Sequence, residues 1–109
     1  VNQVPLEFPE NTEIRNGTVT EVAANGIAID SYSRAVDLRA IDNGSAGIFA
    51  SVGGRVQDCV SAGNEWGFNM VFGGGGYGGN TFAGSTTGDV IGSQNANLGG
   101  NSCDGQVCP

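Results

Sequence analysis

The sequence predicts an all-β chain folded as a stack of coils, and three observations carry the prediction. Apolar residues alternate with small or polar ones at period two, as in Ile27 and Ile29 or Phe68, Met70 and Phe72. Glycine supplies 20 of the 109 residues without the three-residue period of collagen. A set of three marks recurs about every 21 residues. A helix is excluded on the same grounds, because no window sustains a 3.6-residue period and each glycine costs a helix about 1 kcal/mol relative to alanine.

Taken in order, residues 1–11 place Leu6 and Phe8 between Pro5 and Pro9, which suits an N-terminal cap or partial coil whose prolines blunt an exposed edge. Residues 12–92 carry the repeat. A glycine and the residue after it recur as Gly26-Ile27, Gly47-Ile48, Gly67-Phe68 and Gly88-Asp89. Ahead of these stand Val19, Ile41, Val60 and Phe82, and further ahead Ile14, Val36, Val56 and Tyr77. Turn signals at Asn25-Gly26, Asn43-Gly44, Gly53-Gly54, Gly63-Asn64 and Gly79-Asn80 bend the chain two or three times per unit.

Such a unit cannot bury its inward side chains alone. Stacked at about 4.8 Å, each strand pairs with its equivalents above and below. The expectation is a single-stranded parallel β-helix of about four coils, with Ile27, Ile48 and Phe68 in one column and Val19, Ile41, Val60 and Phe82 in a second. An antiparallel sandwich ranks behind it, since it gives no reason for three marks to advance together. Residues 93–109 form a polar tail that suits a C-terminal cap, and the whole chain reads as one domain.

Composition narrows the function. There is no histidine and no lysine, which removes histidine triads, Schiff-base chemistry and the P-loop. A net charge of −7 repels nucleic acid, and no apolar run approaches the roughly 18 residues of a membrane span. Cys103 and Cys108 are near enough in sequence to bond and pin the tail, or to remain reduced thiols at a solvated end; without histidine they cannot complete a zinc site. Cys59, beside Val60, reads as a small hydrophobe or a free thiol. A disulfide together with acidity and absent lysine points to an exported protein. The chain begins at Val1 without a leader, as a mature or trimmed product does.

The segment from Ile14 to Val19, followed by Gly26-Ile27, Gly67-Phe68, Asn80 to Phe82 and the tail from Gly99 to Pro109 with its two cysteines, resembles the right-handed parallel β-helix proteins secreted by bacteria, whose coil design is shared with pectate lyases. The resemblance implies a right-handed solenoid, an extracellular or periplasmic location, and additional coils N-terminal to Val1 in longer relatives. In the enzymes of this kind it implies calcium-binding carboxylates and a basic residue acting as base.

The catalytic candidates here are Asp37 and Asp58, on corresponding strands of adjacent coils, with Asp42 nearby and Arg39 and Arg55 flanking. They could hold Ca²⁺ against a uronate or act as an acid and base pair. The chain has no long loops to wall a cleft, so alternating Asp and Arg on a solvated sheet face is the favoured reading, with no cofactor or resident metal. Asn80 suits an asparagine ladder with Asn16 and Asp58 at a turn, and the glycine-rich run 73–79 a flexible turn between coils. Trp66 suits core or corner packing at least as well as sugar stacking. The functional expectation is a non-enzymatic, self-associating structural or surface-interaction module. The alternative is a polysaccharide-binding or polysaccharide-cleaving protein.

Overall fold

In the computed structural model, residues 6–92 and 94–108 are described, the strand at 6–8 by its backbone only. Pro5, assigned above to an edge-blunting role, lies outside the described residues. The chain is all-β, a β-solenoid of about four turns whose strands stack in parallel.

Three corners shape each turn, and each corner needs a residue in the left-handed region. Positive φ occurs at Asn11, Tyr32, Gly53 and Gly74; at Asn16, Asp37, Asp58, Gly79 and Gly100; and at Glu21, Asp42, Gly63 and Gly84. Members of each series are 21 residues apart, and the three series are offset by five. A coil is therefore two short sides of five residues and one long side of eleven. Left-handed backbone is least costly for glycine and then for Asn and Asp. The upper coils meet it mainly with Asn and Asp, and the fourth coil meets it with glycine alone. That accounts for Gly74 and Gly79 in the run 73–79, while at Gly75 a Cβ would collide with the carbonyl of Gly54 in the coil above. The run is not one flexible turn: Gly74 and Gly79 are corners, and the strand Gly76–Gly78 lies between them.

The long side carries β1 (Leu6–Phe8), β3 (Ile27–Ile29), β5 (Ala46–Ala50), β8 (Trp66–Asn69) and β11 (Gly88–Ile91), in that order and all parallel. Ile27 pairs with Ile48 and Ile48 with Phe68, so the first expected column stands. Its next member is Val90, not Asp89, because Gly88 lies against Trp66 and the coil has gained a residue.

The two short sides are crossed by β2 (Glu13–Thr20) and β4 (Arg34–Ile41), bent at Asn16 and Asp37. Below them the strand divides at the corner into β6 (Arg55–Gln57) and β7 (Val60–Ala62), then β9 (Gly76–Gly78) and β10 (Thr81–Ala83), then β12 (Ala96–Asn97) and β13 (Ser102–Cys103). A last strand, β14 (Gln106–Val107), turns back antiparallel on β13, and Cys103 is bonded to Cys108.

The second expected column is corrected by one step. Val19 sits over Ala40, Ser61, Phe82 and Cys103, while Ile41 and Val60 face the half-exposed positions beside it. Volume explains the choice: Phe82, edge-on to Phe68 at 4.5 Å between ring centres, fills space that only small residues above can share. Likewise Ile14, Ala35, Val56 and Tyr77 stack, and Val36 lies opposite Arg15 and Gln57 instead. The core is one cluster that includes Ile27, Ile29, Leu38, Ile48, Val56, Phe68, Met70 and Phe82.

Inside the corners, asparagine side chains replace backbone partners. Asn64 Oδ1 accepts from the backbone N–H of Asn43 at 2.8 Å, and Asn64 Nδ2 donates to the carbonyl of Ala40 at 2.8 Å. Asn43 does the same for Val22 at 3.0 Å. A second ladder runs from Asn101 to Asn80 to the N–H of Cys59. Asn80 thus joins a ladder, but one residue inward of the corner series that holds Asn16 and Asp58.

Candidate functional site

The corner between the two short sides presents the candidate residues. Asp37 and Asp58 occupy equivalent corner positions with φ of 54° each, below Asn16 and above Gly79. Their strands continue into Arg39 and Val60, which are register neighbours. Together Asn16, Thr18, Asp37, Arg39, Asp58 and Val60 line an open groove of about 500 Å³. The repeat therefore brings Asp37, Asp58 and Arg39 to one place. Among the described residues no ion pair joins Arg39 to either carboxylate.

Asp42 belongs to the next corner, in a separate groove of about 480 Å³ with Thr20, Glu21 and Gly63. Arg55 lines a third hollow of about 190 Å³, floored by Gly53, Gly54 and Gly74 to Gly76. Five residues between corners suffice to separate Asp42 from the pair.

Cys59 lies immediately inward of Asp58 and is buried and unbonded. Burial, reinforced by the charges of Asp37 and Asp58, pushes its thiol up to about 11. It stays protonated near neutrality and offers no nucleophile. Among the described residues no group of three or more Cys, Asp or Glu side chains is placed to hold a metal ion. A calcium ion takes six to eight oxygens. The groove's two carboxylates fall short, and an ion here needs oxygens from a ligand.

Comparison of the chain with protein-family models, curated proteins and solved structures gives no match.

Sequence reasoning missed a different surface. Tyr32, Val71 and Phe72 are 66%, 48% and 61% exposed, with Val52 between them in the stack, and Phe72 packs edge-on to Phe49 at 6.0 Å. These residues gather where the long side ends and the first corner begins, at the turns that contain Tyr32, Gly53 and Gly73. Phe72, placed above in the alternation with Phe68 and Met70, faces outward instead. One residue is inserted between Asn69 and Gly74 relative to Phe49 and Gly53 in the coil above, and the apolar Val71 beside Phe72 is the trace of that insertion in the sequence.

Proposed function

We propose that the chain is a non-enzymatic module of a bacterial secreted protein, a right-handed solenoid with a structural or surface-interaction role that self-associates. The observation that carries the reading is the apolar rim of Tyr32, Val52, Val71 and Phe72, since large exposed apolar patches on small domains mark contact surfaces. A right-handed coil follows the handedness that parallel crossovers adopt, and the Cys103–Cys108 bond suits an extracellular or periplasmic setting. The partner on the rim is a second copy. Sedimentation at tens of micromolar is expected to show association beyond a dimer that Tyr32→Ser with Phe72→Ser removes; a monomer at all concentrations contradicts the reading.

The second reading is a polysaccharide-binding or polysaccharide-cleaving protein, favoured by the shared groove of Asp37, Arg39 and Asp58. Here calcium bridges the carboxylates and an acidic sugar, whose own oxygens complete the coordination. Calcium-dependent retention on an acidic polysaccharide, lost in Asp58→Ala, is its expected signature. Retention unaffected by a chelator and by that substitution removes it.

A further inference from the structure

The two ends of the solenoid are finished differently. At the lower end, β14 turns back on β13 and the Cys103–Cys108 bond packs against the core beside Tyr77 and Val90. At the upper end, β2 pairs with β4 alone among the described residues. Its first side, residues 13–15, presents exposed Glu13, half-buried Ile14 and exposed Arg15. An unpaired edge of this kind is a template for another strand.

We infer that this edge pairs antiparallel with the same edge of a second copy, about a two-fold axis through Ile14. Three features select that register. The axis sets Ile14 opposite Ile14 of the second copy, extending the inward column of Ile14, Ala35, Val56 and Tyr77 across the junction. It sets Glu13 opposite Arg15 of the second copy, and Arg15 opposite its Glu13. Both pairs are therefore of opposite charge and share the outward face, which cross-strand pairing favours. Glu13 already meets Arg15 at 3.0 Å and Arg34 at 3.4 Å within one chain, so its carboxylate and these guanidinium groups can close a network across the axis. Moving the axis by one residue, to Arg15, opposes like charges. Head-to-tail stacking lacks a matching edge, because the lower end of this face is the two-residue β12 and the neighbouring face is closed by β14. The contact is closed and isologous, and it yields dimers through this edge.

This interface rests on the self-association reading and is separable from the lateral rim. The test uses the full chain carrying Tyr32→Ser and Phe72→Ser, with Ile14→Cys added for oxidation, because only a residue on the axis bonds to its own copy. A disulfide-linked dimer from Ile14→Cys, and none from Thr18→Cys on the same strand, supports the interface. Arg15→Glu is expected to weaken the dimer at least fivefold in sedimentation, and Glu13→Arg with Arg15→Glu, in a chain that also carries Arg34→Glu to keep the pair within the chain, to recover most of that loss. Association without the Ile14→Cys link overturns the interface and leaves the module reading intact; a monomer with or without the rim substitutions overturns both. A monomer whose residue 13–15 amides resist hydrogen exchange means that another segment of the protein covers the edge, and that result also overturns the inference.

Discussion

Asparagines in the interior are the residues on which this fold depends most directly. Asn64 accepts from the buried N–H of Asn43 and donates to the carbonyl of Ala40, and it is itself fully buried. Leaving a buried donor and a buried acceptor unpaired costs about 1–3 kcal/mol each. Asn64→Ala is therefore expected to lose about 2–5 kcal/mol in urea unfolding, whereas Asn69→Ala, whose bond to the Val71 N–H is exposed, stays within about 0.5 kcal/mol. Gly67 is restricted by crowding: a Cβ there meets the Asp89 carbonyl and the Phe82 ring. Cys59 contributes a pH effect. Below pH 9 the thiol is protonated in both folded and unfolded chains; from about 9 to about 11 only the unfolded chain releases its proton. Stability falls over that window by at most about 1.4 kcal/mol per pH unit from this group. Urea titrations of the parent and Cys59→Ala should diverge there, with the flatter curve for the variant.

At the scale of elements, the last hairpin is short and held by a loop closed over five positions in sequence. Chain-entropy arguments put such a crosslink at about 2 kcal/mol. Reduction, or Cys108→Ser, should lower the unfolding free energy by that amount, with a lower midpoint, and speed hydrogen exchange at β10 and β13 first, since these strands lie nearest the released cap. An unchanged midpoint would mean that the cap holds without its bond. The sequence showed the long side well: Ile27, Ile48 and Phe68 alternate cleanly and each follows a glycine. It misplaced the short sides because Ala40 and Ser61 fill inward positions there, and a reader seeking large apolar residues passes to Ile41 and Val60. The pair Asp37 and Asp58 with Arg39 was legible because 21-residue spacing alone superposes them. Asp42 and Arg55 were not separable from it without the corners, whose five-residue offset shows only as scattered Asn, Asp and Gly. The asparagine ladders were within reach, since Asn43 and Asn64, like Asn80 and Asn101, are 21 apart.

The whole molecule is a small stack whose core is one strand-layer wide on each side, so its stability is close to a sum over neighbouring coils. A net charge of −7 opposes association at low ionic strength. Added salt should therefore strengthen contact through the apolar rim while weakening contact through Glu13 and Arg15. The central claim is that successive coils lie in register, 21 residues apart. Nuclear Overhauser contacts in the labelled protein address it directly. The account predicts contacts from Ile27 to Ile48 and from Ile48 to Phe68, and from Val19 to Ala40, with the Asn43 amide strongly protected from exchange. Contacts joining sequence-adjacent strands in antiparallel pairs, with Ile27 and Phe68 on separate sheets, would contradict it.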